Sequence, residues 1–190
     1  MYRAVLHDAR FVALLLRLDV DLADSARSAG CECGGALHRA NFLRKPRGGP
    51  SGLGPEHDVR LSFCCARDGC RQRATPPSFR FLGRKVYFGA VVVLLAAMRH
   101  GATPERVRQL RQLVGVSRRT LERWRRWWGT TFAEGGLWRG TAAAFMPPVD
   151  ASILPSSLLE RFRGGIEDRV VALLRLLLPI TGGIAAVHAG

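Results

Sequence analysis

The residues best able to do chemistry in this sequence are five cysteines, in two groups: Cys31-Glu32-Cys33-Gly34-Gly35 and Cys64-Cys65-Ala66-Arg67-Asp68-Gly69-Cys70. An odd number of thiols, with no convincing secretory leader, argues for a reducing compartment and for metal ligation over disulfides. Two close thiolate pairs, each on a tight turn at a hairpin end, bring four sulfurs onto one tetrahedral zinc ion, and Gly34 and Gly35 permit the left-handed backbone of such a turn. Val59, Leu61, Phe63 and Cys65 share one parity in a strand, which turns Cys65 inward and Cys64 to the other face. The expected ligands are therefore Cys31, Cys33, Cys65 and Cys70. The first pair has one intervening residue where the common knuckle has two, so His38 and Cys64 stand as alternatives for one ligand. Four protein ligands leave no open position for water or substrate, so the zinc is expected to be structural.

The second chemically loaded set is a row of arginines between Thr103 and Trp128. Thr103 is a good N-cap and Pro104 suits the first helical position, while Val107, Leu110 and Val114 recur at helical spacing with Arg106, Arg108, Gln109 and Arg111 left wet. Gly115 breaks this helix. Ser117 caps a second one, with Val116 placed to staple onto Leu121. Leu121, Trp124 and Trp128 form the inner face of the second helix, and Arg118, Arg119, Glu122, Arg123, Arg125 and Arg126 are left to solvent or to a DNA groove. This is the pattern of a helix-turn-helix, with Arg118, Arg119 and Arg123 near base edges and Arg125 and Arg126 on phosphates.

The surrounding elements follow from periodicity and breakers. Residues 1–30 predict an amphipathic helix with Phe11, Leu14, Leu15 and Leu18 on one stripe, ended by Gly30. Residues 31–85 predict the zinc ribbon. Within it the loop Arg44-Lys45-Pro46-Arg47-Gly48-Gly49-Pro50 is basic and breaker-rich, should be flexible without a partner, and offers Arg44, Lys45 and Arg47 to a phosphate backbone. Arg71 and Arg73 add to that set, ahead of a turn at Thr75–Ser78 and a short exposed strand, Phe79-Arg80-Phe81, with its basic residue outward. Residues 86–128 predict a three-helix unit whose first helix is the apolar run Val86 to Met98, closed by Arg99, His100 and Gly101; His100 is expected to be a helix-end residue. Residues 129–190 predict a helical tail, with one helix from Ser156 or Ser157 to Phe162 and another from Val170 to Leu178. The stripe Val170, Leu173, Leu174 and Leu177 is expected to pack on the three-helix unit or to meet a second copy of the chain. The expected class is α+β, mainly α: a small zinc ribbon, then a tri-helical helix-turn-helix unit, then a helical tail.

Charge sharpens the functional reading. The chain has 190 residues and a formal charge of +14. Residues 31–85 carry eleven basic and four acidic side chains and residues 86–128 carry nine against two, whereas both ends are balanced. The whole excess therefore lies where phosphates would be met. Of the 29 basic residues, 27 are Arg, which reflects codon bias as readily as function and decides nothing. Phe11–Leu18 is flanked by Asp8 and Asp19 and interrupted by Arg17, unlike a signal peptide, and Val86–Met98 is too short to cross a bilayer. A cytoplasmic protein with no membrane partner is expected.

With both motifs in place, a resemblance emerges. Cys65-x4-Cys70-Arg71 followed by Gly115-Val116-Ser117-Arg118-Arg119-Thr120-Leu121-x2-Trp124 resembles the small zinc-ribbon and helix-turn-helix proteins, and the amino-terminal portions of transposases, encoded by bacterial insertion sequences. The resemblance spans residues 31–128 and implies a protein that binds double-stranded DNA at element ends or represses its own element, with a transposase or a second copy of itself as partner. Catalysis of strand transfer is not expected. Three metal-holding carboxylates in an RNase H-like domain would not fit after Trp128, and Tyr2, Tyr87 and the serines lack the setting of a recombinase nucleophile. The reading is thus a non-enzymatic, sequence-specific DNA-binding protein; the alternative is a ribbon module for protein or RNA, in which Trp127 meets a partner or stacks on a base.

Overall fold

The computed structural model describes residues 2–98 and 103–182, without the side chains of Tyr2, Arg3, Arg106 and Leu110. The expected helix-ending residues Arg99, His100 and Gly101 lie outside the described residues, as does the side chain of Leu110 on the expected stripe. The chain is α+β and mainly helical.

The amino-terminal helix is split. Asp8 accepts a hydrogen bond from the Arg10 amide at 2.8 Å and so caps a new start, dividing the segment into α1, Tyr2–His7, and α2, Ala9–Ala29. Phe11 and Leu15 are buried, Leu14 and Leu18 half-buried, and Gly30 closes α2 at a φ of 75°.

Five short strands follow: β1, Leu37–Arg39; β2, Phe42–Leu43; β3, Val59–Arg60; β4, Phe63–Cys65; and β5, Arg73–Ala74. β1, β4 and β5 form an antiparallel sheet in that order, with Leu37 opposite Cys65 and Phe63 opposite Ala74, and β2 pairs with β3. Asn41 kinks the hairpin between these two pairings by accepting the Ser62 amide at 3.0 Å. Parity therefore holds only beyond the kink. Phe63 and Cys65 are buried as expected, but Val59 and Leu61 are half-buried while Arg60 and Ser62 point into the protein. The second face is covered because Arg60 donates to the Pro76 carbonyl and the Ser62 hydroxyl lies 3.2 Å from that of Thr75.

The segment expected to be an exposed strand runs through the centre of the molecule instead. Phe79, Arg80 and Phe81 are all buried, and Arg80 forms an ion pair with Asp19 of α2 at 2.8 Å, both side chains fully enclosed. Asp19 also accepts from the Ser78 hydroxyl at 2.7 Å and the Phe79 amide at 2.6 Å. The other guanidinium nitrogens donate to the carbonyls of His57 at 3.0 Å and Val59 at 2.9 Å. One buried pair thus joins the amino-terminal helix to the hairpin, and Thr181 joins the same knot by accepting the Ser78 amide at 2.8 Å.

The helical part comprises α3, Gly89–Ala96; α4, Pro104–Val114; α5, Arg118–Trp127; α6, Gly136–Thr141; α7, Ser156–Leu159; and α8, Ile166–Leu176. α3 is shorter than the run Val86–Met98 because Val86 is exposed and the helix begins only after Phe88, yet every residue within it is buried. It packs against α5 and α8. A β-carbon on Gly89 would lie 3.0 Å from Leu174 and 3.2 Å from the Phe79 carbonyl, which explains a glycine at this crossing. α5 continues into a π-helical stretch, Trp128–Phe132, and a chain of ring contacts runs from Trp127 through Phe132, Trp138 and Phe145 to Phe162.

The helix expected from Ser156 to Phe162 is a single turn, α7, and α8 starts four residues before Val170, where Asp168 accepts the Gly165 amide at 2.9 Å. Val170, Leu173, Leu174 and Leu177 are at most 2 % exposed. The stripe offered to a second copy is therefore covered by the chain's own core, which draws on α1, α2, residues 79–97 and the helices through α8. The sheet has its own small cluster of Ala23, Leu37, Phe63 and Cys65, flanked by Cys31, Cys33 and Cys70.

Candidate metal centre and basic surface

Two turns bring four thiols to one end of the sheet. The first leaves α2 at Gly30 and closes with the Gly34 amide on the Cys31 carbonyl at 2.7 Å and the Cys31 amide on the Gly35 carbonyl at 3.0 Å. Gly34 takes the left-handed φ of 79° that the turn requires. Gly35 serves a different need from the one its neighbour suggests. A β-carbon there would lie 2.6 Å from the Cys65 sulfur and 3.3 Å from that of Cys33, so it is the space it leaves that matters. The second turn joins β4 to β5, with the Cys70 amide on the Arg67 carbonyl at 3.2 Å.

The Sγ atoms of Cys31, Cys33, Cys65 and Cys70 all lie within 4.8 Å of one another. Cys31 and Cys70 are 3.8 Å apart and Cys33 and Cys65 3.5 Å. Zinc–thiolate bonds of about 2.3 Å in a tetrahedron set sulfurs about 3.8 Å apart, so the donor set fits such an ion. Cys64 points to the other face, its sulfur 3.5 Å from the Arg71 carbonyl, and His38 is exposed opposite it on β1; neither joins the group. Arg67 donates to the Cys33 carbonyl at 2.6 Å and its amide to the Cys65 sulfur at 3.4 Å, which supplies an outer shell.

The thiols are electrostatically unequal. Hydrogen bonding from the Gly35 amide, then from Cys65 and Cys70, pulls Cys33 down to about 6. The Arg67 amide also lowers Cys65, but burial and the hydrogen bonds shared with Cys33, Cys31 and Cys70 outweigh it and push that thiol up to about 12. Four sulfurs this close cannot all hold negative charge without a cation to neutralise them.

Gly35→Ala is expected to prevent the four sulfurs from closing on a metal while leaving the helical core folded. Metal content of the purified variant, with helicity from circular dichroism as control, checks this; full metal content would refute the packing role assigned to Gly35.

The arginines divide into exposed and internal sets. α4 and α5 are joined by a three-residue turn in which Gly115 has a φ of 66° and the Ser117 hydroxyl accepts the Thr120 amide at 3.2 Å. Val116, Leu121, Trp124 and Trp128 are buried beneath α5. Arg118, Arg119, Arg123 and Arg126 are exposed on its outer side, Arg118 paired with Glu122 at 2.7 Å. Arg125 is half-buried and donates to the Met98 carbonyl at 2.8 Å. Arg44 is likewise half-buried, bonding the carbonyls of Gly83 and Lys85, and burial lowers its pKa. Both help hold the fold together.

The loop around Arg44, expected to be flexible without a partner, is tied to the chain by backbone hydrogen bonds. The Arg47 amide donates to the Val86 carbonyl at 2.8 Å and the Phe88 amide to the Arg47 carbonyl at 3.1 Å, pinning the loop beside the turn Gly83–Val86. Lys45 and Arg47 remain exposed, as do Arg71, which pairs with Asp68 at 3.4 Å, and Arg73, which lies over Phe42. Two basic residues escape the sequence reading. Arg84 is exposed, and Lys85 has its ammonium 3.9 Å above the Trp127 ring, close enough to Arg123 to feel its charge. A Gly-Arg-Lys turn between two buried aromatic pairs, Phe81 and Tyr87 with their neighbours, is the signal that marks them. The Tyr87 hydroxyl donates to the Gly115 carbonyl at 3.0 Å, tying this turn to the one before α5.

No protein family, no curated protein and no solved structure matches this chain.

Proposed function

We propose that this protein binds double-stranded DNA without acting on it as an enzyme, as a regulator or accessory factor of a mobile element, and that a structural zinc ion on Cys31, Cys33, Cys65 and Cys70 pins the sheet beside the DNA-reading helix. The observation that carries the reading is α5 itself: one side is buried by Val116, Leu121, Trp124 and Trp128, and the other presents Arg118, Arg119, Arg123 and Arg126. A second support is the pinned loop. Lys45, Arg47 and Arg84 stand on segments bonded to each other, and Lys85, next to Arg84, feels the charge of Arg123, so these side chains form a basic run beside the helix. Arg119 and Arg123 are assigned to base edges, with Arg118 shared with Glu122; Arg126, Lys45, Arg47 and Arg84 are assigned to phosphates.

Selection from a random duplex pool with zinc present tests the reading. Arg123→Ala should cost about 1–3 kcal/mol on the selected site and relax preference at one position, while Arg126→Ala should weaken all duplexes alike. Enrichment of no sequence, or equal binding by both variants, would count against it.

A further inference from the structure

A cleft of about 250 Å³ opens between the turn Gly83–Val86, the π-helical stretch after α5 and the start of α6. Its walls are the aromatic and aliphatic side chains of Leu82, Trp127, Phe132, Leu137 and Ile180, and its polar side chains are Lys85 and Thr131. We infer that this cleft is a binding site for a small aromatic carboxylate, whose ring lies among Trp127, Phe132 and Ile180 and whose carboxylate pairs with the Lys85 ammonium.

Three observations converge on it. First, Lys85 is a half-buried cation that no ion pair joins to an acidic side chain among the described residues; the side-chain charge it feels is that of Arg123, also positive. Burial first, then Arg123, pushes it down to about 8, and the negative charge of an arriving carboxylate offsets both. Second, the walls are rings at 42° to one another with centres 5.7 Å apart, which suits a third ring in edge or offset contact. Third, the wall is a π-helix, a rare element that widens a helix locally and recurs at functional sites. The volume falls just below that of pockets for drug-sized ligands, which begin at about 300 Å³, so one ring with a short acidic arm is the scale of the occupant. The site shares Lys85 with the basic run proposed for the duplex, but its test uses no DNA, so either reading can fail alone.

Titration calorimetry on the intact protein with 3-phenylpropanoate and the matched neutral alcohol, 3-phenylpropanol, tests it. The acid should bind at least about tenfold more tightly than the alcohol, and Lys85→Met should bring the two within about twofold. A second variant guards against a Lys85 substitution that misfolds: a β-carbon on Gly136 would meet nothing within 4 Å, so Gly136→Leu can fold and should block both probes by filling the cleft. Equal binding of acid and alcohol, undiminished acid binding in Lys85→Met or in Gly136→Leu, or no saturable binding up to about 10 mM would overturn the inference.

Discussion

Removing zinc from the loaded protein at neutral pH is expected to melt the small sheet and leave the helical body standing. Cys65 is fully buried in a cluster of only four buried residues, too few to hold the three short strands β1, β4 and β5 together unaided, whereas the main core uses none of the ligands. Structural zinc in small domains contributes apparent binding free energies of about 10–16 kcal/mol at pH 7, as large as the whole stability of an ordinary domain, about 5–15 kcal/mol. Chelation should therefore abolish amide protection at Leu37, Phe63 and Cys65 while circular dichroism keeps most of its helical signal. Cys65→Ser should lose the metal and Cys64→Ser should keep it, a contrast between adjacent thiols that a general effect of losing sulfur would not produce. Acid should act as chelation does: each ligand must be a thiolate, so occupancy falls on acidification as protons compete with zinc for the sulfurs. Cys33, whose thiol stands at about 6, is the ligand readiest to bind at neutral pH.

Asp19→Ala is expected to lower the midpoint of thermal unfolding by about 10 °C, or to prevent folding outright. The carboxylate balances the guanidinium of Arg80 in full burial and also accepts the Ser78 hydroxyl and the Phe79 amide. Breaking one side of a buried pair costs about 3–5 kcal/mol, and each kcal/mol moves the midpoint by about 2–4 °C in a chain of this size. Arg80 lies 4.9 Å over the Phe81 ring, and two more guanidinium groups, of Arg44 and Arg60, stand over it at 5.4 and 5.8 Å, so the interior left behind would be unusually cationic. Removing both partners should not restore stability, as it often does for an isolated pair, because Arg80→Met would leave the carbonyls of His57 and Val59 without their donor. Calorimetric scans of the two single variants and the double variant check this; a loss below about 2 °C for Asp19→Ala would remove the pair from its assigned role.

What was readable in the sequence was what neighbouring residues decide. Ser117 and Gly115 set the turn between α4 and α5 by capping and by left-handed backbone, and Leu121, Trp124 and Trp128 set its buried side by spacing alone. Cys65 could be separated from Cys64 because alternation holds across β4. What could not be read depends on partners far along the chain. Arg80 sits inside because Asp19, 61 residues earlier, meets it there, and nothing beside Phe79 or Phe81 announces that. Arg44, Arg60 and Arg125 follow the same rule: an arginine bonded to backbone carbonyls is indistinguishable in a sequence from one facing solvent, so net charge overstated the surface charge of residues 31–128. The basic loop seemed flexible because proline and glycine mark breaks in regular structure, and its order comes from backbone bonds to residues 86 and 88.

The central claim, that the exposed arginines of α5 and the loop beside it form one surface for a duplex, is tested most directly by the salt dependence of duplex affinity in the zinc-loaded protein. The logarithm of the binding constant should fall linearly with the logarithm of salt concentration with a slope of about −3 or steeper, and Arg84→Ala should make that slope shallower by about one without changing the sequence preferred. A slope near zero, or affinity unchanged when Arg119, Arg123 and Arg126 are replaced together by alanine, would contradict it.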